Sequence, residues 1–233
     1  MPATTGGVLV IGGCGRVGRL IAPYLEARPL NFWSFGSVAC PGCDWAGHVV
    51  GDVCDLGDVF LAARGKSAIV YVAMGGPDAA SLFEVGVHGF YNVLLAAMET
   101  RVPRVVLASS MSVYDDWAEA SIGSEERPAY CDDPYGVVKV LAEDLGRHFA
   151  QAYGMSVIAL RLASPMTDQD AMRNQARPRG NHHALGALKV AEAFAAALAL
   201  RDHVGFDAVH VTGQTDGDQI NQEKAKRLLG WEP

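Results

Sequence analysis

The expected architecture follows from one stretch near the beginning of the chain, Val8-Leu9-Val10-Ile11-Gly12-Gly13-Cys14-Gly15-Arg16-Val17-Gly18. Its first four residues are apolar and three of them are β-branched, which predicts a strand buried on both faces of a sheet. The glycines follow without a gap, and a helix is predicted from Arg16 to Ala27. A tight turn that brings backbone N–H groups to a diphosphate at a helix N-terminus has no room for side chains. The stretch therefore predicts a dinucleotide-binding site.

Length and composition narrow the classes of function. A chain of 233 residues is long enough for one substantial α/β domain, so residues 1–233 are interpreted as a single domain. Half of the residues are hydrophobic and the formal net charge is −7, which argues against a nucleic-acid-binding surface. The sequence contains no run of about 18 apolar residues, so no transmembrane helix is predicted. Residues 1–7 lack the positively charged region of a signal peptide, so no signal peptide is predicted. We therefore expect a cytoplasmic protein whose partner is a small molecule and neither nucleic acid nor membrane.

The five cysteines are expected to be reduced thiols, because their number is odd and no export signal accompanies them. Cys40, Cys43, His48 and Cys54 have spacing close to that of a small zinc site. However, His48 and Cys54 bracket a predicted strand, which would point them apart. Cys40 and Cys43 lie in a predicted loop and do not open a helix that would acidify a thiol. The sequence thus predicts no metal site and no redox motif.

Strands and helices alternate along the rest of the chain. The predicted strands are 30–35, 47–53, 68–74, 104–108, 156–162 and 208–212, and the predicted helices are 56–64, 79–100, 134–153, 184–200 and 222–229. A polar loop is predicted at 164–181. This alternation predicts a doubly wound parallel sheet, in which ligands bind at the carboxyl ends of the strands.

The cofactor's 2′ substituent is left open by the sequence. An acidic residue about 20 positions beyond the glycines would accept the ribose 2′-hydroxyl, and a basic one would accommodate a 2′-phosphate. The segment 34–38 has neither. Arg16 is the nearest cation able to reach a ribose 2′-phosphate, although it is equally explained as a solvated arginine at the start of a helix. Asp52 ends the third strand, where a carboxylate can meet the adenine amino group; alternatively, Asp52 or Asp55 caps the next helix.

Three further residues are expected to gather at the same edge of the sheet. Ser110 follows the fifth strand, and Tyr135 and Lys139 lie one turn apart on the helix 134–153. A tyrosine is a poor base at neutral pH, but a nearby lysine and an oxidised nicotinamide would lower its pKa. Tyr135 would then exchange a proton with a substrate alcohol or carbonyl while hydride moves to or from the nicotinamide. The residues expected to bind NAD(P) are Gly12, Gly15, Arg16, Val17, Gly18, Asp52, Val53, Tyr135 and Lys139.

These motifs together resemble the extended short-chain dehydrogenase/reductase superfamily, specifically the NAD-dependent epimerase/dehydratase family. The resemblance spans nearly the whole chain in order and is carried by residues 12–18, 51–53, 109–114, 134–139 and 228–233. It implies a Rossmann fold with a minimal C-terminal substrate-binding part, mainly within 163–185 and 205–233. It also implies catalytic roles for Ser110, Tyr135 and Lys139, and a homodimer built on helices 79–100 and 134–153.

Two departures and one closer likeness concern the substrate. The family usually has an asparagine where this chain has Gly86, so the proton relay attributed to that asparagine is in question. Only about 70 residues follow the sixth strand, which is too few for a nucleotide-sugar-binding lobe. The tail Arg161-Leu162-Ala163-Ser164, with Arg173 twelve residues after Arg161, resembles the compact uronate dehydrogenases. That likeness implies that Ser110, Ser164 and Arg173 contact substrate, although Arg173 also fits a solvated loop arginine.

The leading hypothesis is an NAD(P)-dependent oxidoreductase that acts on a secondary alcohol or carbonyl of a small polar substrate, sugar-like or acidic. One alternative is an epimerase or dehydratase that returns the hydride to its sugar substrate. Another is a non-catalytic dinucleotide-binding sensor. Retained cofactor without net formation of reduced nicotinamide would favour the first alternative, and cofactor binding without any exchange would favour the second.

Overall fold

The fold is a single seven-stranded parallel sheet with helices on both faces, seen in a computed structural model that describes residues 6–42, 45–117, 121–127, 129–177, 181–214 and 219–233. The strands are β1 Val8–Ile11, β2 Phe32–Gly36, β3 Gly47–Val50, β4 Ala68–Tyr71, β5 Arg104–Ser110, β6 Ser156–Leu162, β7 Pro165–Met166, β8 Leu185–Gly186 and β9 Gly205–Val211. Seven of them form the sheet in the order β3-β2-β1-β4-β5-β6-β9, and β7 pairs with β8. The order reverses between β1 and β4, so the predicted doubly wound sheet is confirmed and its switch point lies beside the glycine-rich turn.

The helices are α1 Arg16–Glu26, α2 Leu56–Ala63, α3 Ala79–Phe83, α4 Phe90–Thr100, α5 Pro134–Tyr153, α6 Asp168–Gln175 and α7 Ala187–Ala199. The predicted helix 79–100 is present, but a π-helical segment, Glu84–Gly89, separates α3 from α4. The predicted last helix is reduced to a π-turn at Ala225–Leu229. The strand predicted at 208–212 begins earlier because Gly205–Val211 pairs residue by residue with β6.

The sheet divides the hydrophobic core into two layers. Along β1, Val8 and Val10 face the layer that contains α1 and α7, while Leu9 and Ile11 face the layer that contains α2, α4 and α5. All four are buried, as expected for a central strand of a parallel sheet. The first stretch of the sequence thus supplies the centre of both layers.

One helical stretch among the described residues, Ala79–Thr100, is long and apolar enough to cross a membrane by length and composition alone. Its best window has a mean hydropathy of 1.2, and 44% of that window is buried inside the fold. Phe90, Val93 and Leu94 are fully buried in the second core layer. The stretch therefore packs as a core helix of the α/β fold.

Candidate functional site

The glycine-rich turn between β1 and α1 is closed by backbone contacts that exclude side chains. Gly12 has φ +83°, and a Cβ there would lie 2.5 Å from Cα of Ala73. A Cβ at Gly18 would lie 2.3 Å from the carbonyl oxygen of Gly13. Gly12 thus shapes the turn, and Gly18 allows α1 to pack against it.

A cleft of about 890 Å³ opens at the carboxyl ends of the strands, above this turn. This size is within the usual range for ligand sites. Ten of the predicted site residues line it: Gly12, Gly15, Arg16, Val17, Asp52, Val53, Ser110, Tyr135, Lys139 and Ser164. Two others, Gly18 and Arg173, are not part of the lining. The structure therefore brings the glycine-rich turn and the three proposed catalytic side chains to one cavity.

The two aspartates after β3 have separate places. Asp55 caps α2, because its side chain accepts hydrogen bonds from the N–H groups of Gly57 and Asp58. Asp52 lines the cleft, and its Oδ1 accepts a hydrogen bond from the N–H of Cys54 at 2.9 Å. The capping role falls to Asp55, which leaves Asp52 at the position predicted for contact with adenine.

Ser110, Tyr135 and Lys139 meet where β5 ends and α5 begins. Asp133 caps α5, its Oδ1 accepting hydrogen bonds from the N–H groups of Tyr135 and Gly136 at 2.9 and 3.0 Å. Ser110 Oγ accepts a hydrogen bond from the N–H of Ser112 at 3.1 Å, and the Ser110 side chain is near enough to Tyr135 to lower the pKa of its phenol. Lys139 Nζ donates to the carbonyl oxygen of Ala108 at 2.7 Å and lies 5.5 Å from the centre of the Tyr135 ring. A serine hydroxyl and a phenol thus share a site, with an ammonium beside the ring.

Burial sets the ionisation of this group. The pKa of Lys139 is lowered to about 8 by burial, against which the nearby Glu143 carboxylate acts. The pKa of Tyr135 is raised by burial, while the Ser110 side chain and the Arg16 charge act in the opposite direction. The expectation that Lys139 and an oxidised nicotinamide together lower the pKa of Tyr135 stays a prediction for the cofactor-bound chain. In the ligand-free chain, Lys139 is hydrogen-bonded to the carbonyl oxygen of Ala108, and its Nζ lies 5.5 Å from the centre of the Tyr135 ring.

Gly86 lies in the π-helical segment and faces Val138 on α5. A Cβ at position 86 would lie 2.2 Å from Val138 Cγ1, closer than any real contact. An asparagine cannot enter this position unless Val138 moves. Val138 thus fills the space that the side chain of an asparagine at position 86 would need.

Arg16 reaches across the cleft and does not turn toward the end of β2. Its Nη2 donates to the carbonyl oxygen of Pro165 at 3.1 Å, and its charge acts on Tyr135. The end of β2 contributes Gly36, Ser37 and Val38 to the cleft. In the described structure, Arg16 therefore does not mark the position of a ribose 2′-phosphate.

The side of the cleft after β6 differs from its prediction. Ser164 lines the cleft with φ +44°, and its Oγ accepts a hydrogen bond from Asn181 Nδ2 at 2.9 Å. The side chain of Arg173 is 59% exposed and pairs with Asp170 at 3.6 Å. Arg173 was expected to face the substrate, but the next residue of α6, Asn174, lines the cleft instead. A shift of one residue turns a helical side chain by about 100°, so Arg173 takes the alternative position left open by the sequence, that of a solvated arginine.

The lining also contains polar and aromatic residues that are absent from the predicted site, among them Ser112, Trp117, Asn174 and Asn181. Ser112 follows Ser110 by two residues, and Asn181 ends the predicted polar loop. The sequence did offer an indication for two of them, because Ser112 follows the end of a predicted strand and Asn181 lies in the predicted polar loop.

The cysteine prediction is also corrected. Cys14 and Cys40 form a disulfide with their Cα atoms 5.5 Å apart. Each cysteine follows the end of one of two neighbouring strands, β1 and β2, and parallel strands bring such residues to the same edge. An odd cysteine count does not reveal this proximity. Cys54 and Cys131 are free thiols, and Cys43 lies outside the described residues.

Known proteins resemble this chain in sequence and in fold. A profile of the NAD dependent epimerase/dehydratase family matches residues 8–207. The chain is 31% identical over 175 residues to L-arabinose 1-dehydrogenase (NAD(P)(+)) of Haloferax volcanii, which covers 69% of this chain and 67% of that protein. It is 25% identical over 174 residues to uronate dehydrogenase of Pseudomonas syringae pv. tomato, which covers 71% of this chain and 62% of that protein. The crystal structure of a glucuronic acid dehydrogenase from Chromohalobacter salexigens superimposes with a TM-score of 0.85 at 20% identity, covering 98% of this chain and 84% of that one.

Proposed function

This chain belongs to the NAD dependent epimerase/dehydratase family, as the sequence motifs predict, and we propose that it is an NAD(P)-dependent oxidoreductase. The reaction moves hydride between nicotinamide and a secondary alcohol or carbonyl of a small polar substrate. The observation that carries this proposal is that Ser110, Tyr135 and Lys139 line one cleft together with the glycine-rich turn, with Lys139 Nζ 5.5 Å from the centre of the Tyr135 ring.

The residues present fit a dinucleotide. The turn at Gly12 has a backbone that only glycine adopts without strain, and it opens α1, where a diphosphate is favoured. Gly15, Arg16 and Val17 line the cleft from the start of that helix, while Asp52 and Val53 line it after β3. When bound, NAD(P) supplies the hydride acceptor or donor. The choice between NAD and NADP stays open, since Gly36, Ser37 and Val38 carry no charge.

Ser110, Tyr135 and Lys139 handle the proton. The raised pKa of Tyr135 keeps its phenol protonated at neutral pH, so it is ready to donate to a carbonyl oxygen. Ser110 hydrogen-bonds to the same oxygen and holds it against the phenol. Lys139 would hold the nicotinamide ribose, and it places a positive charge beside the Tyr135 ring. In the direction of alcohol oxidation, the same phenol must first lose its proton, which higher pH favours.

A sugar-like substrate is supported by the relatives and by the lining of the cleft. The curated relatives are named for L-arabinose and for uronates, and the alignments cover 67% and 62% of their lengths. In this chain, hydroxyl and amide groups of Ser112, Ser164, Asn174 and Asn181 line the cleft. Such groups suit the hydroxyls of a sugar. Ser164 is the residue proposed to contact substrate, and Arg173 is left out because it pairs with Asp170 outside the lining.

The chain is further proposed to act in the cytoplasm, as a single domain over 1–233, and as a homodimer through helices 79–100 and 134–153. The exposed apolar side chains of these helices support the dimer. They include Phe83 and Tyr91 on the first stretch, and Leu141 and Tyr153 on α5, with 37–54% of their surfaces accessible. Apolar side chains that leave water on association would stabilise such a contact.

A substrate screen tests the activity. Aldoses, uronates and small hydroxy acids are each mixed with the purified protein and either NAD or NADP, and the absorbance of reduced nicotinamide is followed. Net formation with at least one sugar or uronate is expected. Cofactor that remains bound while a sugar is epimerised, with no net reduced nicotinamide, would replace the proposal with the epimerase alternative. Bound cofactor with no hydride or proton exchange on any compound would favour a sensor.

A further inference from the structure

Cys14 lines the same cleft as Ser110 and Tyr135, but the cluster that it forms with Cys40 and His48 is not used by the proposed reaction. We propose that Cys14, Cys40 and His48 form a redox-controlled metal site, which binds one soft divalent cation such as Zn²⁺ when the disulfide is reduced. The three residues come from three neighbouring strand ends or strands: the turn after β1, the loop after β2, and β3 itself. Their candidate ligand atoms all lie within 4.8 Å of one another.

The backbone of the sheet builds this cluster. Ser34 on β2 and His48 on β3 are register partners, so their side chains project from the same face. Cys14 lies on that face, with its Sγ 3.6 Å from His48 Nδ1 and 3.4 Å from Ser34 Oγ. Cys14 and Cys40 are already close enough to be bonded. One of the three ligands, His48, thus lies on a strand, and the other two lie in segments that directly follow strands.

His48 is oriented as a metal-binding histidine would be. Its Nε2 lies 3.0 Å from the carbonyl oxygen of Val38. A carbonyl only accepts hydrogen bonds, so Nε2 carries the proton, and Nδ1 of the neutral ring keeps its lone pair. Nδ1 lies 3.6 Å from Cys14 Sγ and accepts a hydrogen bond from Ser34 Oγ at 2.5 Å, which a metal ion bound to Nδ1 would displace. A backbone carbonyl behind the distal nitrogen is the usual support of a metal-ligating imidazole.

The distances suit a tetrahedral ion. Bonds of about 2.3 Å to sulfur and 2.0–2.1 Å to nitrogen hold those two ligand atoms about 3.6 Å apart. The observed separation between Cys14 Sγ and His48 Nδ1 is 3.6 Å. Two thiolates on such an ion are about 3.8 Å apart, so the sulfurs must part, as they do when the disulfide is reduced. Two thiolates and an imidazole leave one position for water.

The oxidised and metal-bound states exclude each other. A dithiol reductant supplies two electrons and two protons, which convert the disulfide into two thiols while the reductant becomes a disulfide. Binding of Zn²⁺ then releases the two thiol protons and forms two metal–sulfur bonds and one metal–nitrogen bond. In a reducing compartment such a pair is kept as thiols, which is the state that takes the metal.

The test uses the full chain carrying Cys43→Ser, Cys54→Ser and Cys131→Ser, so that Cys14 and Cys40 are the remaining cysteines. After reduction and removal of the reductant, Zn²⁺ is titrated against a chromophoric chelator, and Co²⁺ is used as a spectroscopic probe. One equivalent of Zn²⁺ per chain is expected, together with the thiolate-to-cobalt charge-transfer band. His48→Gln should weaken Zn²⁺ affinity by about tenfold or more. Oxidation of the sample should abolish binding.

Folding and ligand identity are checked separately. Circular dichroism of each variant shows whether it is folded, and Zn²⁺ should raise the Tm of the reduced parent chain and leave that of the oxidised chain unchanged. X-ray absorption of the zinc-loaded wild-type chain should give two sulfur ligands and at least one nitrogen. The proposal is overturned if the reduced chain takes up no stoichiometric Zn²⁺, if folded His48→Gln binds it as tightly, or if the oxidised chain binds it equally well.

Discussion

The two sides of the cleft differ in the contacts that hold their side chains. The cofactor side, from β1 to β4 with the start of α5, is formed by strand ends and helix starts whose positions follow from the sheet. The substrate side, after β6, is formed by Ser164, by β7, by Asn174 of α6 and by Asn181. On the first side, side chains are held by backbone contacts, as Lys139 is by the carbonyl of Ala108. On the second, polar side chains hold one another, as Asn181 holds Ser164. Residue roles are therefore fixed by local sequence on one side and by loop conformation on the other.

Gly12→Ala is the substitution expected to have the largest effect on the cofactor side of the cleft. The new Cβ would lie 2.5 Å from Cα of Ala73, and the backbone has φ +83°. A positive φ alone costs a non-glycine residue about 1–3 kcal/mol, and the clash adds to it. We expect loss of cofactor binding and a lower free energy of unfolding, measured by fluorescence titration and denaturant unfolding. Gly123→Ala is the matched control, since a Cβ there meets nothing within 4 Å. Equal cofactor affinity in the two variants would contradict the assigned turn.

Ser110→Ala should separate turnover from cofactor binding, because it removes one hydrogen bond from the reacting oxygen of the substrate. Loss of a donor of this type lowers kcat by about 10²–10³. The variant should keep its cofactor affinity, because Ser110 is assigned to the substrate oxygen. Steady-state kinetics and cofactor titration measure both quantities. Ser109→Ala is an unsuitable control because Ser109 Oγ donates to Glu143 at 2.6 Å; the half-exposed Ser67 at the opposite end of the sheet serves better.

Burial of Lys139 predicts a pH dependence of stability. Its pKa is lowered from 10.5 to about 8 in the folded chain, so between these values the unfolded chain binds more protons. Stability therefore rises with pH across this window. The free energy of unfolding of the wild-type chain should increase more between pH 8 and 10.5 than that of Lys139→Met. Parallel curves for the two proteins would show that Lys139 is not buried as a titrating ammonium.

The smallest effects are expected on the substrate side. Asn181→Ala removes the amide that holds Ser164, and it should raise KM several-fold with less change in kcat. Arg173→Ala should leave both constants within about twofold, because an exposed i,i+3 ion pair contributes little. The two variants form a matched pair in neighbouring segments. A large loss in Arg173→Ala with none in Asn181→Ala would reverse the assignment of the substrate side.

These differences explain which features the sequence predicted. The strand at Val8, the turn at Gly12, and the pair Tyr135 and Lys139 are local patterns, and local spacing alone places each on its element. The disulfide between Cys14 and Cys40 depends on which strands are neighbours, which local spacing does not encode. The choice between Arg173 and Asn174 depends on the phase of α6, a helix of eight residues whose start was not predicted. The raised pKa of Tyr135 depends on burial, which appears only once the cleft is assembled.

The measurement that tests the central claim most directly is turnover by Tyr135→Phe on a substrate found by the screen, with cofactor affinity measured on the same sample. Loss of general acid–base catalysis should lower kcat by about 10²–10⁴ while NAD(P) still binds. Tyr130→Phe, at a side chain 73% exposed and outside the cleft lining, should turn over like the wild-type chain. Unchanged turnover in Tyr135→Phe would contradict the account, because the phenol would then have no part in moving the proton.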